Sequence, residues 1–153
     1  MEKTLVLIKP DAIQRGLLGK VTSYFENKGL TLVGNKMMQL DDAILAEHYS
    51  HLVDKPFFPG IANFMKSAPV VAQCWEGKDA VEVVRRICGI TNAREANLGT
   101  IRGDLAMSVQ SNLVHASDSL ETASVEVPRF FKEGELFSYD KKNYEYIYAS
   151  DER

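Results

Sequence analysis

The sequence is poor in the residues that build specialised scaffolds. Its two cysteines, Cys74 and Cys88, sit inside apolar runs without CxxC spacing, so they read as buried free thiols rather than a disulfide framework. Three histidines without an HxxxH pair or a His/Cys cluster give no structural zinc signature. No apolar run reaches membrane length and no secretory leader is visible, which makes the cytoplasm the expected compartment. Cations are not in excess, since 18 Lys and Arg stand against 21 Asp and Glu for a formal charge of -3. A general nucleic-acid binder is therefore not expected, and an anionic ligand must be held by a local group of cations. Repeats, low-complexity stretches and a GxGxxG fingerprint are all missing. Gly16-Leu-Leu-Gly19-Lys20-Val21 is not a phosphate loop, because only two residues separate its glycines and valine replaces the magnesium-binding hydroxyl.

What remains is an ordinary globular composition, 45% hydrophobic and 25% charged, in a chain of 153 residues that reads as one domain, 1–153. Lys3 to Lys9 forms a buried strand that stops at Pro10-Asp11. Leu17, Leu18, Val21, Tyr24 and Phe25 fall at helical spacing, and Gly29 closes that helix. Leu30 to Leu40 is a second strand. Asp41 or Asp42 caps a helix toward Tyr49. Phe57, Gly60, Ile61 and Phe64 mark another helix, Val70 to Trp75 a third strand, and Gly77-Lys-Asp79 opens a helix that Gly89 ends. Leu113-Val-His115 is a short fourth strand, followed by a helix from about Ser119. Without the inserted helices the order is β-α-β-β-α-β. That order predicts an α+β, ferredoxin-like fold: a four-stranded antiparallel sheet with helices on one face.

His115, at a strand-to-helix junction, is the leading chemical candidate. An imidazole with an ordinary pKa of about 6.5 is a competent nucleophile near neutrality. Just before it, Gly99-Thr-Ile-Arg102-Gly-Asp104 supplies a guanidinium, with Gly99 and Gly103 allowing backbone to approach a ligand. Arg102 and Arg85 suit forked contacts to phosphate oxygens. Arg85, near a helix C-terminus, reads equally as a solvated or dipole partner, and Arg86 reads as surface. Thr91 and Asn112 offer donors to phosphate or ribose, or simply cap turns. Lys9 ends an apolar strand, either as an ordinary exposed strand-end lysine or held at a cleft, and Phe57-Phe58 is either core or a stacking platform for a base. Glu126, about two helical turns after Ser119, is expected to accept a hydrogen bond from the ring of His115 or from Ser117, against a plain reading as a solvated helix residue. His48 and His51, amid polar residues, read as solvated. An imidazole facing arginines points to phosphoryl transfer through a phosphohistidine.

Taken together these segments resemble nucleoside diphosphate kinases over nearly the whole chain. Carrying the resemblance are Val6-Leu-Ile-Lys9-Pro-Asp11 with Gln14-Arg15-Gly16, His48-Tyr49, Lys55-Pro-Phe57-Phe58, Gly89-Ile-Thr91-Asn92, Gly99 to Asp104, and Asn112-Leu-Val-His115-Ala-Ser-Asp118. The resemblance implies ping-pong transfer of the γ-phosphate of a nucleoside triphosphate to a different nucleoside diphosphate through His115. It implies that Arg85, Thr91 and Arg102 hold phosphates and that Lys9 and Asn112 reach the sugar. Phe57 stacks on the base with Val109 on its other side. Tyr49 lies beside the histidine, and Glu126 with Ser117 supports the ring. It implies Mg2+ carried by the nucleotide phosphates, tolerance of base and sugar, and a homo-oligomer, with the C-terminal tyrosines like those of hexamers rather than tetramers. Departures are Ala116, costing about 1 kcal/mol if its φ must be positive, Ala93 and Leu98 in place of prolines, and Pro128, which ends or bends the helix of Glu126. The competing readings are a nucleotide-binding regulatory module without turnover and, less favoured, an RNA-binding domain that lacks the aromatic strand motif.

Overall fold

Thr4 to Ile8 of strand β1 (Glu2–Ile8) are all buried, the pattern of a strand covered on both faces. In the computed structural model, which describes residues 1–153, β1 lies between β3 (Val70–Gly77) and β4 (Val114–Ala116). Strand β2 (Thr31–Met38) flanks β3, so the order is β2-β3-β1-β4 with every neighbour antiparallel. This is the four-stranded, ferredoxin-like α+β sheet expected from the element order.

Helices α2 (Leu18–Lys28) and α5 (Ala80–Cys88) cover one face. They lay Val21, Phe25, Val84 and Cys88 against Val6, Ile8, Val71 and Trp75. The expectation of helices on a single face is corrected here. Helices α3 (Asp42–His48), α4 (Phe58–Lys66) and α7 (Leu120–Phe130) close the other face. Their Leu45, Ala62, Met65, Val127 and Phe130 meet Leu5, Leu7, Ala72 and Cys74. The physical reason is alternation: successive strand residues point to opposite faces, and in β1 both sets are apolar. The inserted helices are the second layer of the fold.

Local chemistry sets the helix ends. Asp41 accepts from the Ile44 amide at 2.9 Å and Ser119 from the Thr122 amide at 3.0 Å, caps worth about 1 kcal/mol each. Pro10 does not simply stop β1. It is the first residue of α1 (Pro10–Gln14), where its missing N–H has no partner to lose. Residues 101–105, where the sequence pattern gives no element, form α6 (Ile101–Leu105), capped by the Thr100 hydroxyl accepting from the Gly103 amide at 3.0 Å. A Cβ at Gly103 would lie 1.9 Å from the Asn97 carbonyl oxygen, so that glycine is required by its own turn and not by ligand approach.

Two further expectations change. Ala116 lies in β4, and the positive-φ residues other than glycine are Asp79 and Leu113, so the Ala116 methyl carries no backbone cost. Pro128 does not end α7, which continues to Phe130 with Glu126 on its buried side. After α7 the chain folds back: Lys141 Nζ donates to the Leu30 carbonyl at 2.9 Å, and the Tyr148 hydroxyl accepts from the Lys78 amide at 3.1 Å.

Candidate active site

Strand register decides where His115 points. It pairs with Leu7, so it projects from the face covered by α3 and α7. Strict alternation would put Asn112 on the opposite face. Leu113 breaks it, with φ of 76° and a γ-turn bond from the Val114 amide to the Asn112 carbonyl at 2.9 Å. A residue with a side chain is strained there. Three bonds hold the kink: the Leu113 amide donates to Asp11 Oδ2 at 3.0 Å, its carbonyl accepts from the Lys9 amide at 2.9 Å, and the γ-turn closes it. As a result Asn112 and His115 line one cleft of about 520 Å³.

The ring of His115 is fixed from behind. Its Nε2 lies 3.1 and 3.3 Å from the two oxygens of Glu126, which is 5% exposed. Burial alone would raise the Glu126 carboxyl. The hydrogen bond and charge of His115, the Ser117 hydroxyl and the charge of His48 overcome that and hold it at about 2. Ser117 is fully buried and its Oγ also accepts from the Leu5 amide at 3.3 Å. With Nε2 donating to a carboxylate, Nδ1 keeps the lone pair and is the ring nitrogen left for chemistry.

Cations line the same cleft. Lys9 is 9% exposed and donates from Nζ to the Gln110 carbonyl at 2.6 Å and Asn112 Oδ1 at 2.8 Å. Burial brings its pKa down to about 8, opposed by Asp11 and aided by Arg102; an anionic phosphate would restore the charged form. Arg102 donates to the carbonyls of Gly89 and Val114 at 2.7 Å each and to that of Asn112 at 3.3 Å. Those bonds fix the guanidinium plane beside the cleft and leave two of its five N–H groups for a ligand. Arg85 sits at the mouth, paired with Asp118 at 2.6 Å. Both side chains are exposed, so the pair is weak enough to yield to a phosphate. Thr91 contributes its carbonyl to Asn112 Nδ2 at 3.0 Å, and its side chain belongs to the lining. Phe57, 55% exposed, is at the entrance with Val109, 50% exposed, and is not core. Tyr49 lines the inner wall, its hydroxyl pushed up to about 12 by burial and by Glu126.

His48 is the misread residue. It is 6% exposed rather than solvated. Its ring meets that of His115 edge-on, with centroids 4.6 Å apart and an interplanar angle of 81°. The missed signal was spacing: Ile44, Leu45 and His48 share one face of α3. Burial, and then His115, drive His48 down to about 3. His48, His115 and Glu126 bring potential ligand atoms within 4.8 Å of one another. The guanidinium of Arg129 lies 3.0 Å from His48 Nδ1, a cation against one of the three that opposes a metal ion there.

The pH dependence of stability follows. Unfolded His48 takes a proton from about pH 6.5 downward, while the folded residue resists until about 3. Glu126 adds stability that is lost as pH falls from its ordinary 4.5 toward about 2. Both slopes have the same sign, so acid favours unfolding throughout this range. Replacing His48 with phenylalanine is expected to flatten the urea-denaturation midpoint between about pH 6.5 and 5, where only the histidine contributes. An unchanged slope in that window would refute this.

An antiparallel α+β domain with a buried carboxylate behind an available imidazole nitrogen, and three cations around the cleft in front, has the make-up of a protein that handles phosphoryl groups. The more particular identity comes from comparison. A family model described as Nucleoside diphosphate kinase matches residues 2–136, and the chain belongs to the nucleoside diphosphate kinase family. It is 57% identical over 152 residues to a nucleoside diphosphate kinase of Parabacteroides distasonis, covering 99% of each chain. It is 50% identical over 148 residues to that of Staphylococcus haemolyticus, covering 97% of this chain and 99% of the relative. The structure resembles a halophilic nucleoside diphosphate kinase from Halobacterium salinarum in complex with CDP, with a TM-score of 0.93, 42% identity, and coverage of 96% and 98%.

Proposed function

We propose that residues 1–153 form one nucleoside diphosphate kinase domain that moves the γ-phosphate of a nucleoside triphosphate to a nucleoside diphosphate by way of His115. The observation that carries the reading is the His115 Nε2–Glu126 contact at 3.1 Å behind a cleft ringed by Lys9, Arg85 and Arg102. His115 Nδ1 attacks the γ-phosphorus. The Nδ1–P bond forms as the bond from phosphorus to the β-phosphate oxygen breaks, and the diphosphate leaves. A second diphosphate then attacks through its terminal oxygen, and Nδ1 departs with its lone pair. The Nε2 proton stays in place, and Glu126 stabilises the positive charge that grows on the ring. Arg85, Arg102 and Thr91 hold the phosphates. Lys9 and Asn112 serve the sugar hydroxyls, and Lys9 also faces the transferred group. Tyr49 packs beside the histidine. Phe57 and Val109 clasp the base through its flat faces, which every base has, so base tolerance is expected.

Nucleotide phosphotransfer needs a divalent cation, and we assign Mg2+ as an ion that arrives on the substrate phosphates. The cleft residues fit that assignment. The buried carboxylate, Glu126, is taken by His115, and the carboxylate at the mouth is Asp118, so no oxygen-rich cage competes with the phosphates. No helix is long and apolar enough to cross a membrane. The free buried thiols Cys74 and Cys88 fit a reducing cytoplasm. Exposed Met37, Leu98, Met107 and Phe137 fit a homo-oligomer, for which we favour a hexamer over a tetramer. A role in binding a specific nucleic acid is not part of this reading.

A coupled assay tests the activity. With ATP and dTDP we expect dTTP and parallel double-reciprocal lines. Binding of both nucleotides without dTTP would favour the regulatory module.

A further inference from the structure

Arg129 has no place in the transfer described above, yet it is nearly buried, with its side chain 12% exposed. It lies three residues after Glu126 on α7, and therefore on the same side of the helix. Its Nη1 is 3.0 Å from His48 Nδ1 and its Nε is 3.3 Å from a carboxylate oxygen of Glu47. A guanidinium has only hydrogens to give. His48 Nδ1 must therefore accept, which puts the His48 proton on Nε2. That choice matters because His48 Nδ1 is also 3.5 Å from Glu126 Oε2, the same oxygen that lies 3.1 Å from His115 Nε2. A hydrogen on His48 Nδ1 would compete with His115 for that oxygen.

We propose that Arg129 is a positioning residue for phosphoryl transfer: by holding His48 as an uncharged acceptor it reserves Glu126 for His115 and keeps His115 Nδ1 directed at the substrate. This rests on the reading of His115 as the phosphorylated group. The other groups around His48 are Glu47, Tyr49 and His51 from its own segment, Glu126 from α7 and His115 from β4. Of these, Glu126 favours a proton on His48, while His115 and His51 oppose it alongside Arg129 and burial. Without the guanidinium, burial and His115 still oppose a second proton on His48, but one opposing charge is lost and nothing holds Nδ1 as an acceptor. The single proton of His48 is then free to move to Nδ1, and a second is taken up at higher pH than in wild type; either one draws Glu126 Oε2 away from His115.

The test compares wild type, Arg129→Met and Arg129→Lys in single-turnover phosphorylation by ATP and discharge to a diphosphate, across about pH 5 to 9. For Arg129→Met we expect transfer slowed about tenfold near pH 6, the acid limb of the rate profile moved to higher pH, and nucleotide KM within about twofold of wild type. Arg129→Lys, which keeps the charge, should restore most of the rate and the wild-type limb. A wild-type rate and limb in Arg129→Met would overturn the proposal. So would a loss that is equal at every pH, tracks a fall in Tm and is not relieved by lysine, because that marks packing alone. Should the methionine variant not fold, Arg129→Gln replaces it: the limb shift is expected there too, since the charge is gone, and its absence counts against the proposal. Phosphorylation of the wild type is measured alongside, so failure of the His115 reading shows separately as unlabelled wild-type protein.

Discussion

His115→Ala should abolish phosphoenzyme formation and lower nucleotide turnover to below about one part in 10⁴ of wild type, because the pathway loses the atom to which phosphorus is transferred. The effect belongs to chemistry and not to binding. Lys9, Arg85 and Arg102 are positioned by partners other than the imidazole: Gln110 and Asn112 for Lys9, Asp118 for Arg85, and three backbone carbonyls for Arg102. Nucleotide affinity, measured by calorimetry, is therefore expected to stay within a few fold of wild type. The fold should persist, since His115 is an intermediate-burial residue at the cleft wall and the strand bonds of β4 do not involve its ring. Turnover surviving in the variant would mean that phosphate passes directly between nucleotides.

Arg102→Met should damage both stability and catalysis. The guanidinium satisfies the carbonyls of Gly89, Asn112 and Val114, joining the end of α5, the γ-turn and β4 at one point. Hydrogen bonds from a charged donor contribute about 1.5–3 kcal/mol each, and acceptors left without a partner add to the loss. Water reaching the cleft will replace part of this, so a loss of about 3 kcal/mol in denaturant unfolding is expected. Removing a cation that faces the developing phosphoryl charge should slow transfer by about a hundredfold or more. Arg102→Lys should fare only slightly better, because a single ammonium cannot span three carbonyls in one plane. Wild-type stability in Arg102→Met would show that those bonds are not formed in solution.

The sheet was legible because its signals are local: an apolar run in β1, glycines at the ends of α2 and α5, and Asp41 and Ser119 as caps. The grouping of His115 with Arg102 in one cleft is legible because the two stand close in sequence amid glycines and polar residues. Less legible was anything that depends on long-range placement. His48 is surrounded by polar neighbours in the sequence but turns toward β4 and α7 through its helical register. Arg129 looks like a surface residue until α7 is docked on the sheet. The second layer of helices does not follow from the β-α-β-β-α-β order, which leaves out α3 and α4, although the apolar residues on both sides of β1 require a cover on both faces. Helix α1 is hidden because Pro10 also reads as a breaker, and α6 because Gly99 and Gly103 also suit close approach of backbone to a ligand. The kink at Leu113, which lets Asn112 and His115 share a cleft, has no signal in that residue's identity; it depends on Asp11, about a hundred residues earlier in the chain.

With Glu126 on one nitrogen of the His115 ring, the other is the nitrogen expected to receive phosphorus. The most direct measurement is the position of the phosphoryl group on protein trapped with a triphosphate and no acceptor, by nuclear magnetic resonance of the phosphorylated ring. One acid-labile phosphate per chain is expected, on Nδ1 of His115. Phosphate on Nε2, on another side chain, or on none would contradict it.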